Sequence, residues 1–300
     1  MTVSAESNAS TFGTRLAAEF AAKRHLCVGI DPHGLLLKGW GLENDAAGAE
    51  RMGREVIAAA AGVAACVKPQ VAFFERFGAA GFTALERVLA DAREAGVLVI
   101  ADAKRGDIGS TFAAYVDSWL SPGSPLEADA LTVSPYLGFG SFDRALDHVR
   151  KHGKGLFVLA ATSNPEARAL QTARTAEGTT VARSIVEEAQ SFNAYLRRLE
   201  QAGAAPEGVA RSLGPVGVVL GATLDLEEFG IDVAAPPKPA MPVLAPGFGA
   251  QGARIEEATS IFGALGGSLL ASESRSLLTG GAAGLAERIR ARADALAEAL

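Results

Sequence analysis

The chain has 300 residues, 49% of them hydrophobic, and a formal net charge of −6. That composition supports a large buried core and a globular fold. The acidic balance argues against a nucleic-acid binder, which carries a basic face, while leaving room for an anionic small molecule at a locally positive site. No stretch has the apolar length of a membrane span.

The N-terminus, MTVSAESNASTFGTR, is polar and lacks the apolar core of a secretory signal. Residues 1–11 read as a flexible tail and residues 12–300 as one domain. Eight short apolar runs follow, bounded by turn signals: 26–31, 64–70, 97–102, 128–135, 155–163, 216–223, 241–247 and 267–272. Most are continuously apolar, as strands covered on both faces are. Helix-compatible stretches lie between them, for example NDAAGAERMGREVIAAAAG after the first run and FGAAGFTALERVLADAREAG after the second. Strands alternating with helices predict an α/β fold with a parallel sheet. Eight such units match a single closed (β/α)8 TIM barrel, with a doubly wound open sheet as the competitor. Residues 164–212, between the fifth and sixth runs, are read as an insertion holding one long helix, and the proline-rich 233–243 as a loop.

Cys27 and Cys66 are the only cysteines and both sit in apolar runs. Buried reduced thiols point to a cytoplasmic protein. The four histidines lack metal-site spacing, and no HExxH or CxxC occurs.

A barrel places its chemistry at the C-terminal ends of the strands. Here those ends are polar: Asp31, Lys68 with Gln70, Asp102 with Lys104, Ser134, Thr162 to Asn164, the APGFGAQG segment, and Arg275. So many polar clusters at one rim read as one site. In a regular strand Asp102 and Lys104, two apart, project to one side, whereas Asp107 lies past the strand and points elsewhere, even into a neighbouring subunit. GFGAQG matches GxGxxG, but only one strand remains after it, too little for a dinucleotide domain. Its glycines suit phosphate instead, with Arg275 supplying a fork of donors. A Schiff-base lysine must be partly neutral, whereas one opposite charge at 4 Å favours the ammonium by about 4 kcal/mol at an effective dielectric of 20. Lys104 beside Asp102 therefore reads as a held proton donor for a carbanion, not as an amine nucleophile.

DAKRGDI (102–108) resembles the D-x-K-x-x-D-I signature of the orotidine 5′-phosphate decarboxylase family. LCVGIDP, VKPQVAFFE, SPYLG, APGFGAQG and Ser274-Arg275 are similar to that family's other segments, in order. The long stretch after the fifth run is similar to the larger bacterial variant. The resemblance implies conversion of orotidine 5′-monophosphate to UMP and CO2 with no metal or organic cofactor, by a homodimer. Carried over, Lys104 protonates C6 and Asp102 orients it beside the substrate carboxylate. Asp107, Ile108 and Thr111 reach the partner's site. Asp31 and Lys68 bind ribose hydroxyls, with Lys68 also in the charged network. Ser163 contacts the pyrimidine, Gln251 bridges base and phosphate, and the Gly249 backbone and Arg275 hold the phosphate. Arg105 has no assigned role. Arg168 and Arg174 are read as solvated or, alternatively, as parts of a lid. Two rivals are a Mg2+-dependent sugar-phosphate lyase on the same barrel, disfavoured by a lysine at position 68, and a silent nucleotide-phosphate binder.

Overall fold

Each of the eight apolar runs holds a strand in the computed structural model, which describes residues 11–202, 213–235 and 237–300. The expected tail lies outside these residues except for Thr11, as does the 203–212 portion of the 164–212 stretch. The strands are β1 (Leu26–Ile30), β2 (Cys66–Pro69), β3 (Leu98–Arg105), β4 (Ala130–Val133), β5 (Gly155–Ala161), β6 (Val216–Leu220), β7 (Val243–Pro246) and β8 (Leu269–Glu273). All are parallel, each pairs with the next, and β8 closes on β1 through Cys27↔Ser272. The fold is a (β/α)8 barrel, not an open sheet.

Along the chain the helices are α1 (Phe12–Ala21), α2 (Gly34–Gly39), α3 (Ala46–Ala60), α4 (Ala72–Glu75), α5 (Gly78–Glu94) and α6 (Gly109–Leu120). They continue with α7 (Asp143–His152), α8 (Arg168–Gln171), α9 (Val181–Gln201), α10 (Ala258–Phe262), α11 (Arg275–Leu278) and α12 (Leu285–Ala299). The longer ones bury one stripe against the barrel. In α3 the buried positions include Ala49, Met52, Val56, Ile57 and Ala60, the three-and-four spacing of an amphipathic helix, and Asp45 caps its start by accepting from the Gly48 amide at 2.8 Å. Helix α9 packs on β5 and β6. Asn193 fastens it there, donating to the Val216 carbonyl at 2.7 Å and accepting from the Val216 amide at 3.1 Å. The long helix expected within 164–212 thus occupies the barrel's own helix position between these two strands. What precedes it, residues 162–180, is irregular apart from a short turn and α8.

Alternation along each strand separates two cores. Val28, Val67, Val99 and Leu131 face the helices, while Cys27, Cys66, Leu98, Ile100, Ala130, Phe157 and Leu270 fill the barrel interior. Helix α1 closes the bottom, with Phe12 and Leu16 in the interior cluster and the Phe12 ring edge-on to Phe157. The sequence reading did not include this helix, although Thr11 caps it and Phe12 and Leu16 lie four apart. Among the described residues no helix is long and apolar enough to cross a membrane.

Candidate active site

Following the inward alternation to the top of the strands gives one residue per strand. Asp31 continues from Cys27, Lys68 from Cys66, Asp102 from Ile100 and Thr132 from Ala130. Leu159, Val219, Leu244 and Ser272 do the same on β5 to β8. All eight line one cavity of about 380 Å³ at the C-terminal mouth of the barrel. Its floor is therefore charged or polar beneath β1 to β4 and β8, and apolar beneath β5 to β7. The apolar side reduces the screening of the charges opposite it.

At the charged side Asp102 accepts four hydrogen bonds. Its Oδ1 takes Lys104 Nζ at 2.5 Å and Thr132 Oγ1 at 3.0 Å; its Oδ2 takes Lys68 Nζ at 2.7 Å and Gln70 Nε2 at 3.1 Å. A carboxylate offers about four acceptor positions, so this one is fully engaged and cannot rotate without losing a partner. Burial opposes charge on both Asp102 and Lys68. The two lysines outweigh it at Asp102 and hold its carboxyl well below the usual range. At Lys68 the carboxylates of Asp102 and Asp31 likewise outweigh burial and lift the ammonium above the ordinary lysine range. Lys68 is buried, whereas the Lys104 side chain is 47% exposed. Both lysines line the cavity, and of the two ammoniums that of Lys104 is the more open to a ligand.

Lys104 reaches this place by a route that the simple strand reading missed. Strand β3 does not stop at Asp102 but continues to Arg105 through an irregularity: Ala101 pairs with Leu131 and Arg105 with Val133, four steps on β3 against two on β4. A bulge of this kind re-aims side chains at a barrel rim. Within it Lys104 has φ +48°, a left-handed conformation that costs a non-glycine residue about 1–2 kcal/mol. Its amide donates to Thr132 Oγ1 at 2.9 Å.

The remaining expected residues divide. Ser163, Gln251 and Arg275 also line the cavity, and Ser163 Oγ donates to Gln251 Oε1 at 3.2 Å, joining the loops after β5 and β7 across its mouth. Arg275 forms no ion pair among the described residues and opens α11 one residue beyond β8, with that helix against the loop after β7. Two buried oxygens at the cavity wall, Asp31 Oδ1 and Ser274 Oγ, have no hydrogen-bond partner among the described residues. Gly29, the inward residue between Cys27 and Asp31, leaves the space that Ser274 fills, since a Cβ there would lie 2.6 Å from Ser274 Cβ. Gly249 does not line the cavity. Its amide donates to the Ala253 carbonyl at 2.9 Å, and its neighbours Ala250 and Gln251 form the wall. With φ +67° and Glu273 Oε2 only 2.7 Å from where a Cβ would sit, this glycine shapes the loop.

Asp107, Ile108 and Thr111 lie outside the cavity. Asp107 is half-buried and accepts from the Ile108 amide at 2.8 Å, while Ile108 and Thr111 are exposed at the start of α6. Arg105 turns away as well, pairing with Glu75 at 3.0 Å and lying over the Tyr115 ring. Arg168 pairs with Glu228, and Arg174 donates to the Gly178 carbonyl; neither lines the cavity. Thr132, Ser272 and the three apolar floor residues were missed. Their signal was the two-residue alternation inside runs that look uniformly apolar.

Residues 24–264 match the family model described as Orotidine 5'-phosphate decarboxylase / HUMPS family. The chain belongs to this family. It is 49% identical over 270 residues to an orotidine 5′-phosphate decarboxylase of a Nocardioides species, covering 89% of this chain and 91% of that one. Against the same enzyme of Corynebacterium efficiens it is 46% identical over 273 residues, covering 90% and 91%. Among solved structures it is similar to a provisionally assigned orotidine 5′-phosphate decarboxylase from Streptomyces avermitilis, with a TM-score of 0.86, 43% identity, and coverage of 100% and 99%. The curated relatives place the chain among carboxy-lyases of pyrimidine biosynthesis.

Proposed function

We propose that this chain decarboxylates orotidine 5′-monophosphate to UMP and CO2, the last step of UMP synthesis, with Lys104 as the proton donor to C6. The observation that carries the reading is the Asp102 carboxylate, held by Lys68, Gln70 and Thr132 and offering Lys104 at the cavity mouth.

The bond between C6 and the carboxylate breaks heterolytically, CO2 departs, and the electron pair stays on C6. The substrate has no electron sink for that pair, so its surroundings must stabilise it. An ammonium already fixed beside C6 does so without reorganisation; it then gives its proton to C6, and the neutral amine is recharged from water. Asp102 accepts hydrogen bonds only, so a substrate carboxylate placed beside it meets like charge that is relieved as CO2 leaves. No step calls for a metal, and the groups bonded to Asp102 are lysines, an amide and a hydroxyl. Asp31 and Lys68 would hold the ribose hydroxyls, Asp31 Oδ1 having no partner among the described residues. Ser163 and Gln251 would meet the base, and Arg275 with the loop at Ala250 and Gln251 the phosphate.

The loss of orotidine monophosphate absorbance, followed with and without EDTA, tests the reading. Equal conversion to UMP in both is expected. No conversion would sink the assignment, and conversion only without chelator would sink the metal-free mechanism. Arg275→Ala is expected to raise KM by removing a charge-assisted phosphate contact worth about 1.5–3 kcal/mol, with UMP affinity weakened in parallel; unchanged UMP affinity would remove Arg275 from the site.

The protein acts, in this reading, as a cytoplasmic homodimer in which Asp107, Ile108 and Thr111 enter the partner's cavity. Exposed Ile108, Tyr136 and Leu137, all just beyond β3 and β4, give the rim an apolar surface for a second copy. Mixing a Lys104→Ala protein with an Asp107→Ala protein should then restore turnover that neither has alone, because one mixed site carries both native residues. Failure of mixed dimers to recover activity would place Asp107 in its own subunit's site.

A further inference from the structure

We infer that Thr132 is a positioning residue for the decarboxylation, its hydroxyl fixing both the backbone and the counterion of Lys104. The inference rests on the reading of Lys104 as proton donor. Thr132 is 1% exposed and lies at the top inward position of β4, beside the irregularity in β3. Its Oγ1 accepts from the Lys104 amide at 2.9 Å and donates to Asp102 Oδ1 at 3.0 Å. Asp102 Oδ1 is also the atom that binds Lys104 Nζ. One hydroxyl therefore closes a loop from the lysine's main chain, through the carboxylate, to the lysine's own ammonium.

Two features make that hydroxyl more than a core polar group. The Lys104 amide sits at the irregular point of the β3–β4 ladder, where the register breaks between Ala101↔Leu131 and Arg105↔Val133. Thr132 Oγ1 supplies its acceptor in place of a ladder carbonyl. Lys104 also has φ +48°, and a non-glycine residue stays in that region only when its surroundings over-determine it. Without the hydroxyl, the Lys104 amide and Asp102 Oδ1 each lose a partner, and the residue is free to relax toward an ordinary strand conformation that swings Nζ off its line to the cavity. Charges and cavity shape stay the same, so ligand binding is spared while the aim of the proton donor is lost.

The test compares Thr132→Val, which keeps the shape and removes the hydroxyl, with Thr132→Ser, which keeps the hydroxyl. Thr132→Ala removes it without the risk of a packing clash. For the Val and Ala variants kcat for orotidine monophosphate should fall about a hundredfold, with KM and UMP affinity within about threefold of wild type, and Ser should restore most of the loss. Turnover near wild type in folded Val or Ala protein would overturn the inference, as would a Ser variant as impaired as Val. Should Val and Ala both fail to fold while Ser folds, the hydroxyl serves folding and not aim, and the inference is again overturned. Hydrogen exchange at the Lys104 amide reads the same contact without substrate: faster exchange in Val than in Ser supports it, and equal exchange contradicts it. Wild-type protein that consumes no orotidine monophosphate would sink the functional reading, leaving amide exchange to decide the role of Thr132.

Discussion

Replacing Lys104 by alanine is expected to remove turnover almost completely, by at least about 10⁴-fold, while leaving UMP binding largely intact. The size follows from two losses at one atom: the charge that stabilises the C6 carbanion and the proton that quenches it. The side chain is half-exposed and pairs with Asp102, so its removal leaves no buried cavity. Asp102 keeps its bonds to Lys68, Gln70 and Thr132 in the variant, and its fold should be preserved. Steady-state assays with isothermal titration of UMP check both halves. Turnover within tenfold of wild type would remove Lys104 from the proton transfer.

Asp102→Asn is expected to damage both stability and activity. The substitution keeps shape and removes the charge between two ammoniums. Lys68 is then a buried cation facing an amide, and breaking a buried pair from one side costs about 3–5 kcal/mol. Asp31 offers partial relief, since its carboxylate also acts on Lys68. The pH dependence has a definite sign. The folded Asp102 carboxyl titrates below its ordinary value of 3.8, so between the two values the unfolded chain binds more protons and stability rises with pH. The contribution is full above the ordinary value and is lost as pH falls through the folded one. The folded Lys68 ammonium titrates above its ordinary 10.5, so its contribution is full below that value and is lost as pH rises through the folded one. The gap in melting temperature between wild type and Asp102→Asn should thus be steady across neutral pH and shrink at acid pH below the ordinary carboxyl value. Calorimetry at several pH values measures it. A variant as stable as wild type at pH 7 would show that the pair is not buried as described.

The barrel was legible because its strands are covered on both faces and print as eight unbroken apolar runs. The site was legible where charge interrupts those runs, at Asp31, Lys68, Asp102 and Lys104, since a strand end in a barrel points at the cavity mouth. Residues in the same ring without charge were hidden: Thr132 and Ser272 sit inside or beside apolar runs and show only through alternation with Ala130 and Leu270. The irregularity in β3 was not legible, because neither a glycine nor a proline marks residue 104 and the left-handed turn there is held by a contact from another strand. Helix α1 was passed over because it adjoins the polar tail. For Gly249 the sequence pointed to a loop that does reach the cavity, through Ala250 and Gln251, but the amide of the glycine itself is bonded within that loop. Asp107, Ile108 and Thr111 lie outside this chain's own cavity, so the roles proposed for them require a second chain.

The claim at the centre of this account is that a fixed ammonium stands where CO2 leaves its electrons. A crystal structure of the protein with UMP bound tests it most directly. Lys104 Nζ is expected within about 3.5 Å of C6, still bonded to Asp102, with the phosphate against Arg275. An amine turned from the uracil ring, or a nucleotide seated with C6 beyond hydrogen-bond reach of Nζ, would contradict it.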